Sequence, residues 1–544
     1  MRKIVNAALI CIALVLALLL FPRYFKEEDA IKNNTEQSVR SITPQYGGTL
    51  RLSTLPVDTY NPLLTKDIYT NDILSIIYEG IINIDENYKP VPELAEKWET
   101  SDDGRAWTFY IRKNVMWHDN MPFTGEDVEF TLRTLSNPLT DSIYKKNIEK
   151  ISSFEVVDKY TVRLFTTAPY SFLPECLNFP IIPKHIFADS RGNCRRSTAY
   201  PIGTGPYKWI EENGKNIVLA ANNKWWAETP YINSVIIKIC KNYNEYINSI
   251  QVRESDFLRI GREDFNKFSD RVYLETEKYT SKDFDFIAFN LSKPVFKDKN
   301  VRQAIANAIE KQKLIDYLLK GKVEEAGIPL SPKSYLYNQN IKNYDEDGLN
   351  VRNLLRKGGW RDEQILWSKV ENGTMYTTDF ELLVNKDNDL RCKIADEIAL
   401  RLKEFGIRIN VKKVSWEEQQ QCISNRNFDM VLTGWRLSNI PDLSFAYSSN
   451  QASGETNIAN YINERVNELL IQILIDTDSD GRKAKINELQ TIINDDVPII
   501  GLYFINDAIV YNKRIMGEIS PHCNDVFGNI SKWYIWSEQT KAES

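Results

Sequence analysis

Histidine is nearly absent, with three residues in a chain of 544. Cysteine is little commoner at seven, and no two cysteines stand in a Cys-x-x-Cys pair. Protein metal clusters draw on these two residue types at short spacing, so no metal site and no other cofactor is expected. Long runs of one charge are also missing. The 68 basic and 74 acidic residues are interspersed and sum to −6, which leaves no electrostatic footprint for nucleic acid. No repeat of about 20 to 50 residues is visible. Nor is there a G-x-S-x-G elbow, an H-E-x-x-H helix or a Walker phosphate loop, so nothing marks a hydrolase or transferase, and the chain is read as a non-enzyme.

What is present is a chain of ordinary make-up, 42% hydrophobic and 26% charged. Single cores seldom grow beyond roughly 250 to 300 residues, so two or more domains are expected. Ahead of them, Ile4 to Phe21 is apolar except for Asn6. As a helix this run would span roughly 27 Å, about one hydrocarbon thickness. Residues 1–25 are read as an export signal or membrane anchor and 26–45 as a polar spacer. No Ala-x-Ala site follows, and Ile10 before Cys11 makes a poor lipoprotein signal, which favours an uncleaved anchor over a cleaved signal. Arg2 and Lys3 balance Arg23 and Lys26, so the positive-inside rule leaves orientation open. The other cysteines, Cys176, Cys194, Cys240, Cys392, Cys422 and Cys523, could pair as disulfides in an exported chain or stand as buried thiols, and their spacing does not choose.

The folded part opens at Tyr46. Leu50 and Leu52 alternate with Arg51 and Ser53 as a first strand, and the turn-rich Leu55 to Pro62 then carries Val57 and Tyr60 on a loop at a strand end. Ile68 to Ile82 has helical spacing. Asp103-Gly104 predicts a hairpin whose returning strand places Trp107, Phe109 and Ile111 on one face. Thr124 with Asp127 three positions on reads as a capping box. His118 beside Asp119 has the make-up of an acid–base pair, although a structural loop histidine suits these residues better. Val301 to Leu318 keeps helical spacing between Asp298 as cap and Gly321 as stop. Phe380 to Asn385, Arg391 to Phe405 and Ile407 to Val411 predict a βαβ unit.

The stretch Phe428 to Tyr447, FDMVLTGWRLSNIPDLSFAY, organises the rest. Its strand alternation is expected to stop at Gly434-Trp435 in a polar loop closed by Pro441. Ligands of open α/β sheets gather beyond the carboxyl ends of strands, which makes Trp435, Arg436, Ser438 and Asn439 candidate contacts. A tryptophan that only plugs a core is an equal reading of Trp435.

Glu93 to Phe130, ELAEKWETSDDGRAWTFYIRKNVMWHDNMPFTGEDVEF, resembles the signature segment of the bacterial extracellular solute-binding proteins of family 5, the oligopeptide, dipeptide and nickel receptors of ABC importers. PIGTGPYKW (Pro201 to Trp209), NNKWWAETPYINSVIIKI (Asn222 to Ile239), FIAFNLSKPVFKDKNVRQAIANAI (Phe286 to Ile309), GIRINVKKVSW (Gly406 to Trp416) and FDMVLTGW follow in the family's order. The resemblance implies an α/β, two-lobed, periplasmic-binding-protein-like fold with an extra subdomain in a discontinuous first lobe. Residues 46–82 and 203–286 would build lobe I, 83–202 the extra subdomain, 287–502 lobe II, and 503–544 the return to lobe I and a tail. Gly203 to Tyr207 would cross between lobes.

It further implies a substrate-binding receptor that captures a peptide between its lobes and delivers it to the permease subunits of an ABC transporter. Such a receptor would be a monomer in the periplasmic or extracytoplasmic envelope, held to the membrane here by residues 4–21. In peptide-binding relatives a carboxylate for the free amine stands a few residues after Gly-Trp. Ser438 takes that position in this chain, with Asp442 as its substitute if the loop is out of register. Lys386 is the cation offered to a ligand carboxylate, and Asn290 is a strand-end residue expected at the hinge. The alternatives are a degenerate member that binds a nickel chelate or a sugar, and a surface sensor or adhesin.

Overall fold

The computed structural model describes residues 43–189, 194, 200–341, 344, 348–451 and 456–536. The apolar run Ile4 to Phe21 lies outside these. Among the described residues no helix is long and apolar enough to cross a membrane.

In chain order the elements that matter are β1 (Thr49–Thr54), α1 (Ile68–Ser75), β2 (Ala95–Thr100), β3 (Ala106–Ile111), α2 (Gly125–Ser136), β4 (Ile151–Asp158) and β5 (Thr161–Thr166). Then come β6 (Tyr207–Glu212), β7 (Asn216–Ala221), β8 (Ser234–Ile239), β9 (Phe257–Ile260), β10 (Leu274–Phe289), α3 (Lys299–Ala308) and β11 (Val323–Glu325). The last are β12 (Asp379–Asn385), α4 (Asp389–Glu404), β13 (Arg408–Val414), β14 (Met430–Arg436), α5 (Glu464–Ile475), α6 (Ser479–Asp496) and β15 (Ile499–Asn512).

An eleven-stranded sheet runs β13-β12-β14-β10-β15-β9-β1-β8-β7-β6, with β11 added on β15. The βαβ unit expected from Phe380 onward is there: β12 and β13 pair in parallel, joined by α4, whose N-cap Asn388 accepts from the Arg391 amide. At the other end β1 pairs in parallel with β8 and buries Leu50 and Leu52. The two ends have separate cores, one around Leu50, Ile77 and Trp533, the other around Phe289, Ile305 and Leu432. This is the two-lobed α/β architecture.

Two long antiparallel strands, β10 of 16 residues and β15 of 14, belong to both lobes. Their pairing runs from Leu274↔Asn512 to Thr280↔Asn506, then resumes at Phe284↔Phe504. Ser281, Lys282 and Asp283 therefore oppose Ile505 alone, in a bulge at the point where the chain passes between lobes.

The smaller sheet β2-β3-β5-β4 carries α2. Its β2–β3 hairpin turns through Gly104 at φ +67, and Trp107, Phe109 and Ile111 are buried together. Thr124 and Asp127 form the capping box at α2. This subdomain rests on α5 and α6: the Ser171 amide donates to Leu474 O at 2.7 Å, and the Arg482 guanidinium donates to Ser171 O at 2.5 Å.

Several sequence expectations need correction. The helix from Ile68 stops at Ser75 because the carbonyls of Ile76 and Ile77 accept from Tyr207 and Gly205 rather than from a continuing helix. Gly203 to Tyr207 is consequently no crossover between lobes. It leads from the small subdomain into β6, packed so closely that a Cβ on Gly203 would lie 1.8 Å from Ile77 O. The helical spacing of Val301 to Leu318 is broken at Glu310, which takes the left-handed conformation at φ +50. His118 does not pair with Asp119. Its Nδ1 accepts from the Gly203 amide, Nε2 therefore donates to Gly205 O, and Asp119 pairs with His185 at 2.7 Å. Burial pushes the His118 imidazole down to about 4. Cys176, Cys240, Cys392, Cys422 and Cys523 are free thiols.

Candidate functional site at the strand bulge

The bulge sets the place of the site. The Lys282 carbonyl accepts from the Leu437 amide at 2.9 Å, which ties the loop after β14 to the point where the lobes join. The loop is held in shape by its own polar groups. Ser438 Oγ donates to Ile440 O at 3.3 Å, and Asp442 accepts from the Ser444 amide at 2.9 Å to start the turn Ser444–Tyr447. Between this loop, the bulge, Leu330 to Ser334 and Tyr88 lies a cavity of about 40 Å³, floored by Phe504 and Phe445. A wider groove of about 970 Å³ lies on the outer face of α2, but its charges are spent, Arg133 on Glu129 and Asp141 on Lys66. The small cavity is where separate segments of both lobes converge, which is the expected place for a ligand.

Charge around the cavity is mostly paired. Arg436 meets Asp283 at 3.2 Å, and Arg259 meets the partly buried Asp72 at 2.8 Å. Lys282, half-buried in the bulge, makes no ion pair among the described residues. Burial pushes its ammonium below the ordinary lysine range, and Arg436 and Arg259 act in the same direction against Cys523. The Cys523 thiol reaches the Tyr88 hydroxyl at 3.5 Å. Asn439 lines the cavity with a buried side-chain oxygen that has no partner among the described residues.

Behind the loop, Arg391 donates two hydrogen bonds to Asp285, at 2.6 and 3.1 Å, and Tyr503 adds a third at 3.1 Å. Gly434 lies against this pair, where a Cβ would stand 2.2 Å from Arg391 Nη2 and 2.4 Å from Asp285 Oδ1. The glycine is thus part of a strand that continues through Trp435 to Arg436, rather than the turn expected to end it.

The predicted contacts fall into three groups. Ser438, Asn439 and Asp442 line the cavity. Trp435 stands behind it, half-buried, 4.0 Å from the Phe286 ring and edge-on to Phe445 at 5.1 Å, while Arg436 is exposed beside Asp283. The other four lie apart. Val57 and Tyr60 pack on the first lobe's core, with Tyr60 donating to Glu212 at 2.5 Å. Asn290 is at the far end of β10, not at the bulge, and its amide is consumed by Arg426 O, Phe428 O and the Ser292 amide. Lys386 is exposed at the end of β12. Lys282, Tyr88 and Phe504 were not foreseen. The polar triplet Ser281-Lys282-Asp283 inside a long strand was the one available signal.

With this geometry in view, likeness to known proteins becomes informative. The family described as bacterial extracellular solute-binding proteins, family 5, matches residues 89–457 through its middle region. The chain belongs to that family. The solute-binding protein is 27% identical over 524 residues to the oligopeptide-binding protein AppA of Bacillus subtilis, covering 92% of this chain and 94% of the relative. It resembles the solved structure of that Bacillus protein in complex with a nonapeptide, with a TM-score of 0.60, 26% identity and coverage of 91% and 100% of the two chains. A murein tripeptide-binding protein, MppA, in its unliganded open form shares the fold at a TM-score of 0.77 and 17% identity, over 91% and 98% of the chains. An extracytoplasmic location follows from the family.

Proposed function

We propose that this solute-binding protein captures peptides in the cleft at the bulge and hands them to the permease of an ABC importer. The cavity carries the reading: chain segments from both lobes meet there, on strands that both lobes share, in a chain alike over nine-tenths of its length to an oligopeptide-binding relative. A solute that touches both lobes only when they meet shifts the open–closed equilibrium by its differential affinity, and the permease reads the closed form. Binding and release suffice, with no covalent step. Residues 46–82, 203–286 and the return after 502 act as the first lobe, 287–502 as the second, and 4–21 as the membrane anchor of a monomer.

Titration calorimetry of the full chain in mild detergent, against a mixed pool of short peptides, tests this. Heat from the peptide pool is expected. No heat from any peptide, with heat from a nickel chelate or a sugar, overturns the ligand class.

A further inference from the structure

We propose that the solute cleft anchors a carboxylate of its ligand on the ammonium of Lys282. The proposal rests on the cavity being the solute site, and goes beyond it in naming the chemistry of the anchored group.

The first support is the charge balance. Acids that could serve the cleft's cations are already engaged: Asp283 with Arg436, and Asp72 with Arg259. Asp442, on the cavity wall, has one oxygen on the Ser444 amide, and Asp525 accepts from the Phe527 amide. Burial raises the Asp507 carboxyl and the Arg259 guanidinium acts against it, while Lys282 is not among the charges that act on it. Besides burial, the groups that act on Lys282 are the Cys523 thiol and the guanidiniums of Arg436 and Arg259, and none is a carboxylate. A half-buried ammonium among cations is costly to hold and gains most from an incoming anion.

The second support is position. Lys282 sits in the middle of the three-residue bulge, and its own carbonyl holds the ligand loop through Leu437. Ser281, Ser331 and Ser334 line the same cavity, and their hydroxyls are donors of the kind a carboxylate accepts. The buried, unpartnered end of the Asn439 amide lies there too, and turned about its axis that amide donates. As the lobes stand, about 40 Å³ admits a group of carboxylate size and no whole residue. A carboxylate held here would tie a ligand to the strand bulge between the lobes, where closure is coupled to binding.

The test uses the full chain in detergent, as wild type, Lys282→Met and Lys282→Arg. Thermal melting is followed in sodium acetate or succinate against chloride at equal ionic strength. Tetrapeptide pools are titrated unblocked, N-acetylated and C-amidated. Carboxylates are expected to raise the melting temperature of the wild type and of K282R, and not of K282M. Amidation is expected to weaken wild-type binding about 10- to 100-fold, the size of one charge-assisted contact, while acetylation leaves it unchanged. An amidated pool that regains affinity when it carries glutamate places the anchored carboxylate on a side chain, and supports the proposal equally.

Carboxylate protection in K282M equal to wild type, or full affinity of every amidated pool, overturns it. Two mixed outcomes separate the readings. If no pool binds but Lys282-dependent carboxylate protection persists, peptide capture fails and carboxylate anchoring stands. If peptides bind regardless of their termini and carboxylates do not protect, anchoring fails and peptide capture stands.

Discussion

Gly434 shows how one residue can be read correctly as special and for the wrong reason. Next to Trp435 it looks like a turn, but its backbone is extended and its missing side chain makes room for Arg391 against Asp285. That pair is nearly dry, with side chains 16% and 3% exposed. Gly434→Ala is therefore expected to separate the two charges and cost about 3 to 5 kcal/mol in urea unfolding, as for breaking a buried pair. An unchanged midpoint would mean that the strand shifts to absorb the methyl group. Asn290 is the opposite case. Its type and its strand-end position suggested the hinge and a ligand, yet its amide closes the backbone around Phe428. Side-chain polarity alone does not tell whether the partner will be a solute or the chain itself.

At the scale of elements, the local signals were strong where the partner is close in sequence. The Asp103-Gly104 hairpin, the Thr124 capping box and the βαβ unit from Asp379 all depend on neighbours within one turn or one crossover. The failures depend on distant partners. α1 is cut short by Gly205 and Tyr207, which arrive from across the small subdomain.

That joint also carries a pH signature. Glu79 accepts from the indoles of Trp225 and Trp226 at 2.9 and 3.0 Å, and Glu93 accepts from the Gly80 amide at 2.9 Å. Burial first, and the Glu79 charge second, hold the Glu93 carboxyl well above the ordinary range. A raised folded value means that the folded state keeps its proton longer. The stability it gives is full below the unfolded value of about 4.3 and is lost as pH rises through the folded value. Glu93→Gln should flatten this loss in melting temperatures measured from pH 4 upward. The same slope in wild type and variant would assign the effect elsewhere.

On the scale of the whole molecule, the small subdomain does more than decorate the first lobe. Its core continues into α5 and α6, so that Phe172, Leu470 and Ile486 share one buried cluster. At the contact, Arg482 donates to Ser171 O and lies 3.9 Å from Glu175, which Tyr335 also reaches at 3.0 Å. Glu175 is fully buried. Arg482→Met strands this carboxylate and should cost about 3 to 5 kcal/mol, whereas Glu175→Leu with Arg482→Met should recover most of it, because an apolar pair of similar volume replaces a buried ion pair at little cost. Equal losses in single and double variants, read in urea melts, would show that the two charges are not coupled.

The amino-acid order by itself determined which segments are strands and helices wherever periodicity and a cap agree, and it determined the family through long ordered blocks. Tertiary structure alone decided which polar residues face the cleft. Lys282 and Ser438 are 156 positions apart and line the same cavity only because β10 and β14 pair antiparallel beside a bulge. Lys386 and Asn290, equally polar and equally at strand ends, were carried elsewhere by the same sheet. Period and propensity act over a few residues, whereas a site is assembled by strand pairing across hundreds, and that information is not local.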